Sequence, residues 1–61
     1  MPNPVTYADF YNRGLTYAYL QEFTRAISDF DRSIALRPDD ADAYVNRGNA
    51  YAEQGDSAPT L

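Results

Sequence analysis

The stretch that organises the chain is FYNRGLTYA, residues 10–18, which returns as YVNRGNAYA at residues 44–52, an offset of 34 residues. The central Asn-Arg-Gly is identical in the two copies, and the closing Tyr and Ala are also kept. The same offset aligns Pro4 with Pro38. A period between about 20 and 50 residues is typical of repeat proteins in which each unit packs on the next. The sequence therefore predicts a repeat architecture with one full unit and the beginning of a second.

Apolar and small residues inside the repeat follow a helical period. Phe10, Gly14, Tyr17 and Ala18 lie three or four positions apart, as do the apolar residues between positions 23 and 34. This spacing places side chains on one face of an α-helix. The pattern predicts an all-α fold with three helices near residues 7–20, 24–36 and 41–54.

Capping residues mark the expected helix ends. The predicted N-caps are Thr6, Thr24 and either Asp39 or Asp40, whose side-chain oxygens can accept hydrogen bonds from the first free backbone N–H groups. Pro38 should stop the second helix, because proline cannot continue the backbone hydrogen-bond ladder. Gly55 should end the third helix in the left-handed conformation that glycine tolerates best.

Gly14 and Gly48 fall inside predicted helices, where glycine costs about 1 kcal/mol relative to alanine. Close approach of a neighbouring helix would offset that cost. A bulky ring such as that of Phe30 can pack directly on a backbone without a side chain, and the small Ala26 can admit the first helix in return.

The residues that carry this pattern in the first repeat are Phe10, Gly14, Tyr17, Phe23, Ala26, Phe30 and Pro38. In this order and at these spacings they resemble the tetratricopeptide repeat (TPR) family. Ser33 departs from the family pattern, where a small Ala is usual, and so do Arg13 and Arg47, where Leu is often found. None of these departures forbids the fold, because Ser is small and the stem of Arg can lie along apolar surface.

The resemblance implies a single TPR-like unit over residues 1–61. Residues 7–40 would form a full repeat, and residues 41–55 would form the first helix of a second repeat, in the place of a terminal cap. Residues 56–61 no longer follow the family pattern and are expected to form a tail.

Composition excludes much chemistry. The chain has no Cys, His, Lys or Trp, which removes disulfides, the usual zinc sites, thiol and imidazole catalysis and Schiff bases. A net charge of −4 disfavours nucleic acids and anionic membranes as partners. No apolar run approaches the length of a membrane span, and no targeting signal is recognisable, so the default expectation is a cytoplasmic protein.

The carboxylate clusters do not predict catalysis or a cofactor site. Asp29 and Asp31 lie two positions apart and so point to different sides of a helix. The group formed by Asp39, Asp40 and Asp42 lies at a helix N-terminus, where capping and the helix dipole explain it. The sequence thus predicts a protein that is not an enzyme and that holds no metal or cofactor.

A concave protein-binding face is the first functional hypothesis. In the TPR family this face is formed mainly by the first helix of each repeat and holds extended peptides. Carried over by offset, the partner-binding residues are Tyr11, Asn12, Leu15, Tyr19, Asn46, Asn49 and Glu53. Tyrosines offer flat amphipathic contact at low entropic cost, and Asn amides suit a peptide backbone. The alternative is structural, with the tyrosines covering neighbouring helices and the Asn side chains solvated.

Self-association is the second hypothesis. The third helix carries Tyr44, Val45 and Tyr51, which a following helix would normally cover. Helical repeats usually need three or more units for independent stability, so another copy of the chain could supply the missing surface as a homodimer or a longer stack. A third alternative is that the chain is a fragment of a longer TPR scaffold.

Overall fold

A computed structural model describes the backbone of residues 6–57 and the side chains of residues 6–55. Its helices are α1 (Tyr7–Tyr19), α2 (Phe23–Leu36) and α3 (Ala41–Ser57). The described residues contain no strand, and the predicted all-α fold is confirmed. α2 runs antiparallel to both α1 and α3 and contacts both along its length.

A tight turn joins α1 to α2. The N–H of Gln21 donates to the carbonyl of Ala18 at 3.0 Å, and the N–H of Glu22 donates to that of Tyr17 at 2.8 Å. This pair of bonds is the Schellman motif, which places the residue after the helix end in the left-handed region. Gln21 has φ 64°, although it is not glycine. The predicted helix bounds leave residues 21–23 as a connection, but no glycine there indicates a left-handed turn.

Two of the predicted caps are confirmed. The Thr6 hydroxyl accepts from the N–H of Asp9 at 3.2 Å, and the Asp40 carboxylate accepts from the N–H of Asp42 at 3.2 Å. α2 ends at Leu36, two residues before Pro38, as the disfavoured helical conformation before a proline requires.

Two other boundaries differ from the prediction. α2 begins at Phe23, one residue before Thr24, and its N-cap Glu22 makes no side-chain capping bond. Thr24 instead accepts a hydrogen bond from the Gln54 side chain of α3 at 2.8 Å. α3 continues through Gly55 to Ser57 with no left-handed glycine, so the predicted cap at Gly55 is wrong and the helix enters the predicted tail. Residues 58–61 of that tail lie outside the described residues.

The core is centred on α2. Ala26, Ile27 and Phe30 are buried against Ala50 of α3, and Ala43 is buried near the start of α3. The partly buried residues packed around this cluster are Tyr11, Tyr17, Ala18 and Phe23. Phe30 is the largest side chain that is completely buried, so it anchors the packing of α1 on α2.

The two glycines have different surroundings. A Cβ atom placed on Gly14 would lie 2.7 and 2.8 Å from two ring carbons of Phe30, so the predicted close approach is confirmed there. A Cβ placed on Gly48 would meet no neighbouring atom of the described residues within 4 Å. The same explanation for Gly48 therefore fails within this part of the chain, because no helix lies against it.

Arginines connect the helices through carboxylates. Arg13 donates from Nε and Nη2 to the two carboxylate oxygens of Asp29 at 2.7 and 2.8 Å, and Arg47 donates from Nη1 to Asp31 at 2.6 Å. These hydrogen bonds are the main reason that the pKa of each arginine is raised. A helix-surface pair between Asp29 and Arg32 is expected from their spacing, but Asp29 pairs across the helix interface with Arg13 instead.

The buried Ser33 replaces the usual alanine without leaving an unpaired hydroxyl. Its Oγ donates to the backbone carbonyl of Tyr7 at 2.8 Å and links the last turn of α2 to the start of α1. The serine that departs from the family pattern therefore makes a hydrogen bond between two helices.

Candidate protein-binding site

A cleft of about 400 Å³ runs between the C-terminal half of α1 and α3. The residues that line it are Leu15, Ala18, Tyr19, Gln21, Phe23, Asn46, Asn49, Ala50 and Glu53. The side from α1 and the start of α2 is largely apolar, whereas α3 contributes two amides and a carboxylate. Glu53 is the single carboxylate among the lining residues.

The Asn46 amide has a fixed orientation. Its Nδ2 donates to the Asp42 carbonyl at 2.8 Å and to the Tyr11 hydroxyl at 2.9 Å. A backbone carbonyl can only accept, so the atom that contacts it must be the NH₂ group. Both amide hydrogens are therefore engaged within the protein, and the carbonyl Oδ1 is the group that Asn46 can offer to a ligand. An Asn amide can in general both donate and accept, but Asn46 is left with only its acceptor for a ligand.

Tyr11 lies on a second cleft, of about 430 Å³, at the N-terminal end of α1. Its ring packs on the ring of Phe30 with centroids 5.9 Å apart. Burial raises the pKa of its hydroxyl, and the nearby carboxylates of Asp42 and Asp40 raise it further, while the hydrogen bond from Asn46 opposes them. Tyr11 is thus a structural link between α1, α2 and α3 whose hydroxyl borders the second cleft.

Comparison with known proteins identifies the repeat. A family model described as TPR repeat matches residues 14–55, about two thirds of the chain. The chain belongs to the TPR repeat family. Comparisons with curated proteins and with solved structures gave no significant match.

TPR repeats generally mediate protein–protein interactions, and the family typically serves as a non-enzymatic interaction module. The matched residues run from the glycine of α1 that receives Phe30 to the glycine near the end of α3. The match therefore includes the contact between Gly14 and Phe30 and all nine residues that line the cleft.

Five of the seven residues predicted for the concave face of this TPR chain lie together. Leu15, Tyr19, Asn46, Asn49 and Glu53 line one cleft together. The other two predicted residues lie elsewhere. Tyr11 lines the second cleft, and Asn12 is exposed and lines neither cleft.

Sequence reasoning missed four lining residues of the TPR cleft. Phe23 and Ala50 form part of its floor, with Ala18 and Gln21 beside them. The predicted face was restricted to the first helix of each repeat, whereas Phe23 begins the second helix and Gln21 belongs to the turn. The left-handed turn at Gln21 places Gln21 and Phe23 beside the cleft. Because this turn contains no glycine, the sequence does not indicate it.

The predicted self-association residues of the TPR chain are all exposed. Tyr44, Val45 and Tyr51 are 44%, 60% and 53% accessible. Tyr44 and Tyr51 lie on either side of Gly48 at helical spacing, so they share one side of α3, while Val45 lies next to that stripe.

The TPR chain has no group of three or more metal-ligating side chains among its described residues. Within residues 6–57, no helix is long and apolar enough to cross a membrane.

Proposed function

We propose that this TPR chain is a protein-binding module that holds an extended peptide in the cleft between α1 and α3. The observation that supports this most directly is that the cleft combines an apolar wall from α1 and the start of α2 with the Asn46 and Asn49 amides of α3. An extended peptide presents alternating N–H and C=O groups, and its side chains alternate in direction. Every second side chain of the peptide can contact the apolar wall of the cleft while the peptide backbone lies along α3.

The favoured ligand is apolar with a neutral or basic character. The apolar wall formed by Leu15 and Phe23 suits an aliphatic or aromatic side chain, and the Glu53 carboxylate on α3 favours a cationic over an anionic group. Asn46 requires a donor, which a peptide N–H provides. The chain's net charge of −4 also favours a basic over an acidic partner during encounter.

The test is a titration of the ¹⁵N-labelled chain with a panel of short peptides that combine one large apolar residue with one Lys or Arg. Backbone amide shifts should concentrate at Leu15, Asn49 and Glu53. Asn49→Ala should weaken binding, whereas Asn12→Ala, a matched change of an exposed amide outside the cleft, should leave it unchanged. Equal sensitivity to both substitutions, or shifts that avoid the cleft, would contradict the proposed site.

Self-association through Tyr44, Val45 and Tyr51 is the alternative function, and the exposure of all three side chains favours it. It would give a homodimer or a stack, or place the unit in a longer TPR scaffold. Light scattering over a wide concentration range separates the alternatives. A constant monomer mass would eliminate self-association, while a dimer that loses helix on dilution would support it.

A further inference from the structure

Two helices of the chain carry the same surface stripe. On α1 the stripe consists of Phe10, Gly14 and Tyr17, with Arg13 beside the glycine. At the 34-residue offset, α3 carries Tyr44, Gly48 and Tyr51, with Arg47 beside the glycine. The second set is called here the outer stripe of α3. Equal spacing on two helices gives the two stripes the same shape: rings above and below a bare stretch of backbone.

The stripe on α1 has an occupant, α2. The Phe30 ring rests on the backbone at Gly14 and is completely buried. The preceding residue, Asp29, receives two hydrogen bonds from Arg13 and is 3% exposed. An aromatic ring and a carboxylate next to it in sequence are therefore the two groups that this kind of stripe binds.

The outer stripe of α3 is uncovered by the described residues. Tyr44 and Tyr51 are about half exposed, and the space above Gly48 is open. Arg47 uses one N–H group on Asp31, an exposed residue of α2, and a guanidinium has five. The ring of Tyr44 lies 5.4 Å from the Arg47 guanidinium carbon, which keeps this cation beside the stripe.

We propose that the outer stripe of α3 binds an amphipathic helix of another protein, which places an aromatic ring over Gly48 and the carboxylate of the preceding residue on Arg47. The chain itself provides the template for this ligand, because α2 makes the same two contacts on the equivalent stripe. This surface is separate from the cleft proposed above and does not depend on it.

A second copy of the chain is a poor source of that helix. In a folded copy, Phe30 and Asp29 are already buried against α1 and cannot reach another molecule. Two copies would also each bring a net charge of −4. Both arguments favour a helix that is free in its own protein, with a composition like that of α2.

The test uses a fluorescent peptide with the α2 sequence, FTRAISDFDRSIAL, added to the unlabelled chain and followed by fluorescence anisotropy. Gly48→Ala is the decisive variant. Its new methyl group meets nothing in the described chain, so folding is preserved, but it occupies the site of the incoming ring. The apparent Kd should rise about tenfold or more, because overpacking of this kind costs enough to change affinity by that factor.

Three further measurements complete the test. A peptide with Ala at the position of Phe30 should bind at least about tenfold more weakly, as expected when a buried ring is lost. Asn49→Ala, which alters the α1–α3 cleft, should leave peptide affinity unchanged, so failure of the cleft proposal is distinguishable from failure of this one. Unchanged affinity of Gly48→Ala would overturn the proposal. So would a mass that doubles without peptide and returns to monomer in Gly48→Ala, since the stripe would then bind a second copy.

Discussion

Replacement of Gly14 by alanine should destabilise the protein even though alanine is the better helix former. The added Cβ would lie 2.7, 2.8 and 3.2 Å from three carbons of the Phe30 ring. Optimal carbon–carbon contacts are about 3.5–4.0 Å, so ring or helix must move by roughly 0.8 Å or more. Phe30 is completely buried, which leaves the ring no free direction.

The expected magnitude follows from two opposing effects. Overpacking at this severity costs about 3 kcal/mol, and the gain in helix propensity returns about 1 kcal/mol. Gly14→Ala should therefore lower the free energy of unfolding by about 2 kcal/mol, or the melting temperature by roughly 8–16 °C in a domain of this size. Gly48→Ala, the matched change at the equivalent position, should raise the free energy of unfolding by about 1 kcal/mol because it gains helix propensity without a clash.

Urea unfolding followed by the helical circular dichroism signal measures both changes. A chain of this length has a total stability of about 3–9 kcal/mol, so Gly14→Ala should also be made in the Gly48→Ala background, where it retains enough stability for a full transition. The reasoning would be refuted if the two substitutions had the same effect. It would also fail if Gly14→Ala were as stable as the parent chain.

Three other changes have definite expected outcomes. Gln21→Gly should raise the free energy of unfolding by about 1 kcal/mol in urea titration, because glycine adopts the left-handed turn without strain; an unchanged urea midpoint would contradict this. Ser33→Ala should lower the free energy of unfolding by about 1 kcal/mol through loss of the hydrogen bond to the Tyr7 carbonyl. A variant as stable as the parent or more stable would refute this role of Ser33. The folded state raises the pKa of Tyr11, so its contribution to stability is complete below the unfolded-state pKa of about 10 and is lost as the pH rises through the higher folded-state value. The melting temperature should fall less steeply above pH 10 in Tyr11→Phe than in the parent, whereas Tyr19→Phe, at a side chain 91% exposed, should keep the parent slope; equal slopes for all three proteins would reject the assignment.

Local sequence signals accounted for most of the backbone. Periodicity gave three helices, and the caps at Thr6 and Asp40 and the stop at Pro38 depend on side-chain or backbone chemistry within a few residues. The close contact at Gly14 was also predictable, because an interior glycine needs compensation and a large ring stood at the right place in the next helix.

Interactions between helices were less predictable. Arg13 follows Asp9 by four positions, yet its two side-chain hydrogen bonds to a carboxylate go to Asp29, 16 residues away. Spacing within a single helix carries no information on such a pairing. The same limit applies to Asn46, whose free carbonyl could be deduced only after both of its donor contacts were placed.

Gly55 shows why a residue type alone does not end a helix. At the repeat offset it corresponds to Gln21, which does occupy the left-handed turn after α1. That turn is followed at once by a helix that packs back on α1, which fixes the chain direction. α3 continues past Gly55 instead, so the turn depends on packing as well as on tolerance of a positive φ.

Both proposed surfaces are on α3, and the way α3 is attached connects them. Its buried residues on the α2 side are the small Ala43 and Ala50, supplemented by exposed polar contacts such as the hydrogen bond of Gln54 to Thr24. Little apolar area is buried by such residues, so α3 is the helix whose local stability should be lowest. A peptide in the cleft and a helix on the outer stripe would each bind α3 in its packed position. Each ligand would therefore reduce the entropy that the other loses by ordering α3. The two binding faces would then be coupled through α3 without any contact between the ligands.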